Sequence, residues 1–229
     1  MSVRILAVTA FVVGLATWAE AEPAVRPLDH HAVVLNGRIV GSAFLIDDDL
    51  AVTNAHVVEG LEPGGTVLVA MPRETQVVAE VIAISTRMDL AVLRTPRGFS
   101  TVVSAVDAPP VVGLAVRGAG IDASGGRGVG PRMELAGVVV QPRVELGAYG
   151  PGLVVRMLGV RPGFSGGPVL DAEGRLVGMI TAIRSSGATL AARGAAGVAR
   201  QRQADEAFVL RASEIRRETA RLLKLAGEE

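Results

Sequence analysis

Short apolar runs, punctuated by glycine, proline and acidic turns, dominate the chain after its first thirty residues. Ala32–Leu35 and Arg38–Ile46 flank Asn36-Gly37, a dipeptide that favours a tight hairpin because both of its residues tolerate positive φ. Asp47-Asp48-Asp49 then turns the chain into Leu50–Thr53. Further strands are predicted over Thr66–Met71, Gln76–Ile84, Leu90–Arg94, Val111–Arg117, Met133–Val140, Leu153–Leu158, Val169–Leu170 and Arg175–Ile183, the last two joined by an Asp171–Gly174 turn. Many short strands with few helical periods predict an all-β barrel or sandwich. One helix is expected near the C-terminus, over residues 213–226: Ser213 caps it, Ile215, Leu222 and Leu223 share an apolar side, and Lys224 and Gly227 suit its end. Two stretches lack either period, Gly118–Pro131 and Ser185–Glu206, and are expected to be long surface loops.

The first residues follow a different pattern. Arg4, the uncharged run Ile5–Trp18 and Ala19-Glu20-Ala21 together predict a secretory signal over residues 1–21, cleaved after Ala21. The run is shorter than the about 20 residues a membrane span needs, so no membrane association is expected after cleavage. A short segment, 22–31, then leads to a single domain over 32–229, which has no internal repeat. The chain has no cysteine, so an exported domain must be held by apolar packing; this points to a bacterial periplasm or secretion from a bacterium. Basic and acidic residues balance, 23 against 23, and no basic cluster with interleaved aromatics occurs, so no nucleic-acid partner is expected. Gly118-Ala119-Gly120-Ile121-Asp122-Ala123 matches a dinucleotide-binding pattern. Ser124-Gly125-Gly126 follows it where a helix would have to open, which excludes that reading.

Three short segments carry chemistry. Gly163-Phe164-Ser165-Gly166-Gly167-Pro168 places a serine among glycines that free the backbone to aim successive N–H groups at one point. Thr53-Asn54-Ala55-His56-Val57-Val58 supplies a base and Met88-Asp89-Leu90 an acid. Singly, each is more often structural than catalytic. Together they predict Ser165 as nucleophile, His56 as the base that takes its proton, and Asp89 as the group that fixes the His56 tautomer. The backbone N–H groups of Gly163 and Ser165 would hold the oxyanion. Neither a metal nor an organic cofactor is called for.

These motifs, with Gly41-Ser42-Ala43-Phe44-Leu45-Ile46 before the histidine and Val177–Ile183 after the serine, resemble the trypsin-like serine proteases of the HtrA/Deg branch. Ala207-Phe208-Val209-Leu210 and the helix after it are similar to the closing segment of that family. The resemblance implies two perpendicular six-stranded β-barrels, about 32–108 and about 109–210, with the active site between them. It implies a serine endopeptidase acting on unfolded or exposed polypeptide segments; the alternative is a catalytically silent relative that binds peptides or a partner protein. Gly159 and Val160 would lie near the base of the substrate pocket, and Gly178, Met179, Ile180 and Thr181 near a wall. None is acidic, so cleavage after small or medium aliphatic residues is expected rather than after Lys or Arg. No PDZ module is expected after the closing helix, and monomer and trimer both stay open. The chain departs from the family at Phe164, where a small polar residue is usual. A ring there could tilt the peptide that forms the oxyanion hole.

Overall fold

The computed structural model describes residues 25–71, 76–105, 108–125, 129–184 and 204–227. The leader 1–21 and most of the predicted 185–206 loop lie outside the described residues. A four-residue helix, α1 (Pro27–His30), precedes a first set of strands: β1 (Ala32–Asn36), β2 (Ile39–Asp47), β3 (Leu50–Thr53), β4 (Thr66–Ala70), β5 (Gln76–Ile84) and β6 (Ala91–Arg94). A second set follows: β7 (Ala115–Ile121), β8 (Arg132–Glu145), β9 (Pro151–Val160), β10 (Pro168–Leu170), β11 (Leu176–Arg184) and β12 (Ala204–Arg211), then α2 (Ala212–Ala226). Each set closes into an antiparallel barrel, in the orders β1-β2-β3-β6-β5-β4 and β10-β11-β12-β9-β8-β7. Closure pairs Val33 with Ala70 in the first barrel and Val169 with Gly118 in the second. A closed sheet has no edge to protect, which suits a chain built from short strands.

Period-two alternation explains why these segments are strands. On β4, Val67 and Val69 point into the barrel while Thr66 and Leu68 face out. The first core gathers Val34, Leu45, Val57, Val58, Val81 and Leu93, and the second Val139, Leu153, Val155, Met157, Phe164 and Val209. A third cluster joins the barrels: Phe44, Val52, Met88 and Leu90 of the first pack with Leu170, Met179 and Leu210 of the second and with Ile215 of α2. Helix α2 thus follows the second barrel but also leans on the first, where Leu222 meets Ile82 and Val92. Among the described residues, no helix is long and apolar enough to cross a membrane.

The pattern misplaced some boundaries. Val111 and Val112 stand 63% and 65% exposed ahead of a turn at Gly113 (φ 87°), so the predicted 111–117 strand begins only at Ala115. That strand continues through Gly118–Ile121, which had been expected to be loop, because these residues pair in register with Arg132–Leu135 of β8. Ser213 does not cap α2: Arg211 holds the N-cap position without a side-chain cap bond. The C-terminus of α2 follows the expectation, with Gly227 left-handed at φ 77° and its N–H on the carbonyls of Leu223 and Lys224.

Candidate active site

His56 sits on a single 3-10 turn, Ala55–Val58, that leaves the end of β3. Val57 and Val58 anchor this turn in the first core, which leaves the imidazole facing outward with its side chain 43% exposed. Asp89 is buried between Met88 and Leu90, and both of its oxygens engage His56. Oδ1 accepts the His56 backbone N–H at 3.0 Å, and Oδ2 accepts from Nδ1 at 2.7 Å. With its proton held on Nδ1, the neutral ring keeps a free lone pair on Nε2. Asn54 steadies this pair from behind, donating to the Asp89 carbonyl at 2.8 Å and to Thr181 Oγ1 of the second barrel at 3.0 Å.

Ser165 comes from the turn between β9 and β10, and its backbone is tied into both barrels. Its carbonyl accepts the Ser42 N–H at 2.7 Å, and the Gly166 N–H reaches the Ile180 carbonyl at 2.8 Å. Only glycine fits at 166: φ is +88°, and a Cβ would fall 1.8 Å from the Ser42 carbonyl oxygen. Gly163 is constrained likewise, with φ +99° and a Cβ position 2.2 Å from the Ile121 oxygen.

Phe164 does not disturb this turn. Its ring is fully buried in the core of the second barrel and lies over Gly120, where a Cβ would be 2.3 Å from a ring carbon. Around it, the carbonyls of the turn are turned inward. Pro162 O accepts the Ala123 N–H at 3.0 Å, Gly163 O accepts Ser42 Oγ at 2.7 Å, and Phe164 O accepts the Gly167 N–H at 2.9 Å. In a trans peptide the N–H points opposite to its carbonyl, and no peptide here is cis. The N–H groups of Gly163 and Ser165 therefore point away from those partners, and no backbone partner among the described residues takes them. Two such donors next to a serine are the groups that an oxyanion site requires.

His56, Asp89, Ser165, Tyr149, Arg161 and Thr181 line one cleft of about 730 Å³ between the barrels. Among the described residues no hydrogen bond joins the Ser165 hydroxyl to His56, a contact that often tightens only with substrate bound. Of the predicted pocket residues, Thr181 lines the cleft, accompanied by Ala182 and Ile183. Val160 and Ile180 are buried in the second core and Met179 between the barrels. Gly178 is pressed against the Leu210 carbonyl, and Gly159 lies beside the Arg161 guanidinium. Arg161 faces the cleft already paired: Nη1 donates to Asp122 at 2.9 Å and Nε to the Gly159 carbonyl at 2.9 Å. Its charge is thereby largely offset.

Sequence reasoning did not find His31, Ser42 or Glu218. His31 is fully buried, its Nδ1 accepting from Arg132 Nε at 2.8 Å and its Nε2 meeting Ser42 Oγ at 2.7 Å. Burial, and secondarily the Arg132 charge, push it down to about 3, so the ring is neutral. In the sequence Ser42 stands only as part of the strand before the histidine, and no local pattern marks His31 as more than a residue near the start of β1.

Comparison with known proteins agrees with this architecture. The family model described as trypsin-like peptidase domain matches residues 41–179, more than half of the chain. No curated protein sequence matches. Among solved structures, the inactive form of the Rv3671c protease of M. tuberculosis is similar at 21% identity and TM-score 0.66, over 86% of this chain and 90% of that one. The HtrA-type protease AlgW, solved with a tripeptide, is similar at 21% identity and TM-score 0.69, over 89% of this chain and 62% of AlgW. A serine endoprotease from Yersinia pestis gives 19% identity and TM-score 0.65, over 87% of this chain and 64% of that one. At such identities the structures speak to the fold, and the family match speaks to descent. The chain belongs to the trypsin-like peptidase domain family, as a serine-type endopeptidase built on the two-barrel fold that HtrA-type proteases share.

Proposed function

We propose that this chain is an exported endopeptidase that cleaves exposed or unfolded polypeptide segments through Ser165, His56 and Asp89. The observation that carries the reading is the Gly163–Ser165 turn, whose carbonyls are all hydrogen-bonded while two N–H groups beside the serine find no backbone partner among the described residues. Ser165 Oγ attacks the scissile carbonyl as His56 Nε2 takes its proton. Asp89, bonded to Nδ1 at 2.7 Å, stabilises the imidazolium that forms. The N–H groups of Gly163 and Ser165 hold the oxyanion. His56 then protonates the leaving amine, and water, deprotonated by the same ring, releases the acyl group. Substrate enters extended: Thr181–Ile183 continue β11 beyond its last pairing with the short β10 and line the cleft, so this stretch, which no described strand pairs on that side, can accept a peptide as an added strand. The ion-paired Arg161 and the apolar Met88, Ala182 and Ile183 favour small or medium aliphatic side chains at the cleaved position. Export rests on the leader over residues 1–21.

A fluorophosphonate probe tests the reading. The folded wild type is expected to be labelled, and Ser165→Ala and His56→Ala to lose the label, with kcat for peptide cleavage reduced by roughly 10⁴-fold or more. A folded wild type that takes no label would instead make this a silent relative. Dominant cleavage after Lys or Arg on a denatured protein would overturn the specificity.

A further inference from the structure

A buried chain of hydrogen bonds runs from the segment before β1 into the oxyanion turn. It begins at Arg132, the first residue of β8, which grips the segment by donating Nη2 to the Leu28 carbonyl at 2.7 Å and to the His31 carbonyl. Its Nε–H donates to His31 Nδ1 at 2.8 Å. That donation fixes the tautomer: Nδ1 is an acceptor, so the proton of the neutral ring is on Nε2 and is donated to Ser42 Oγ at 2.7 Å. A hydroxyl that accepts from the ring has its own proton free to give, and Ser42 gives it to the Gly163 carbonyl at 2.7 Å. Every member points the same way, from Arg132 toward Gly163, and His31 and Ser42 are both fully buried.

The end point matters because Gly163 has no side chain to restrict its backbone. Its orientation depends on the two peptide planes that meet at its Cα. The plane before it is pinned by Pro162 O on the Ala123 N–H at 3.0 Å. The plane after it is pinned at one end by Gly163 O, held at 2.7 Å by Ser42 Oγ and at 3.5 Å by the Ile121 N–H, and at the other by the Phe164 N–H on the Arg161 carbonyl at 3.2 Å. This second plane lies between the peptides that carry the Gly163 and Ser165 N–H groups, and without the Ser42 bond, the shortest of its holds, it can shift about a glycine, so the two N–H groups lose their fixed relation to one another.

We infer that His31 is a positioning residue for the oxyanion hole, acting through Ser42 to hold the Gly163–Phe164 peptide that sets the Gly163 and Ser165 N–H groups in relation to one another. The segment over Pro27–His31 is then part of the working enzyme, although it touches no substrate. This inference rests on Ser165 being the nucleophile.

Paired variants test it. Gln at position 31 can offer an N–H near the place of Nε2, whereas Asn is too short to reach Ser42. His31→Asn is expected to lower kcat for a peptide substrate, and the rate of fluorophosphonate labelling, by about tenfold to a hundredfold with KM unchanged, a part of what deleting an oxyanion donor costs. Binding of a peptidyl trifluoromethyl ketone, which forms a tetrahedral adduct, should weaken by the same factor, while that of the cleaved peptide should not. His31→Gln should recover most of each loss. If His31→Asn is folded and as active as wild type, or if Gln fails to recover what Asn loses, the inference is overturned. An equal fall in adduct and product binding overturns it too, since that marks general loosening. Unlabelled wild type would defeat the Ser165 reading and this one together, whereas a labelled wild type with unaffected His31 variants would defeat this one alone.

Discussion

Phe164 turns from an obstacle into a support once its surroundings are visible. Read along the chain, a bulky ring next to the nucleophile threatens the peptide that must present an N–H. In the fold, the ring occupies the space left by Gly120 on β7, and this large-small pair holds the turn from below. Phe164→Ala is therefore expected to cost about 3–5 kcal/mol of stability through the cavity it leaves. Gly120→Ala, whose Cβ would overlap the ring, should cost about 1–3 kcal/mol by overpacking. The two should be strongly coupled: in the Phe164→Ala background, Gly120→Ala should cost little or restore stability. Urea denaturation of the four proteins measures this, and costs that add to within about 0.5 kcal/mol would refute the pairing. His56, Asp89 and Ser165 were legible as residues because their local contexts are distinctive. Their supports, Ser42 and Asn54, were not, because a short polar side chain on an apolar strand takes its meaning from a partner far along the chain.

At the scale of elements, α2 does more than end the chain. Glu218, buried on its inner face, accepts Ser85 Oγ at 2.5 Å and is held by Arg221 through Nε at 2.8 Å. Ser85 in turn accepts the N–H groups of Arg87 at 3.0 Å and Met88 at 3.3 Å, which shapes the loop that delivers Asp89. The helix thus braces one member of the site from outside the cleft. Glu218→Ala is expected to cost about 2 kcal/mol, the scale of a charge-assisted hydrogen bond, and to lower kcat more than it raises KM. The Arg221 guanidinium, and secondarily Ser85, hold the Glu218 carboxyl below its ordinary 4.5 against the opposing effect of burial. Its folded pKa being the lower one, its contribution is complete above pH 4.5 and is lost as pH falls below it. The stability difference between wild type and Glu218→Gln should therefore shrink in acid; a difference constant from pH 7 to 3 would contradict this role. The helix was legible from its apolar period. Its docking was not, since Ile215 and Leu222 declare only that some surface covers them.

For the whole molecule, the decisive feature is the cluster shared by the barrels. Phe44 and Leu90 pack against Leu170, Met179 and Leu210, and Ile215 of α2 closes the same cluster. Neither barrel can open without exposing this surface, so the domain should unfold in one cooperative step. Far-UV circular dichroism and the fluorescence of Tyr149, the single tyrosine, which lines the cleft, should report the same urea midpoint. Separate midpoints would mean that the barrels are independent. The alternation of apolar and polar residues determined, by itself, where strands run, because side chains on a strand alternate faces whatever the partner. Local motifs determined which three residues carry the proposed chemistry, because that chemistry needs specific groups in specific backbone settings. The tertiary structure alone decided which apolar residues line the cleft: Val160, Met179 and Ile180 went to the cores and Ala182 and Ile183 to the opening. It alone decided that Phe164 points inward and that His31 reaches the Gly163 turn through Ser42. Each depends on which strand lies beside which once the barrels close and pack together, which joins Phe164 to Gly120 and Gly163 to Ser42, beyond the reach of any local pattern.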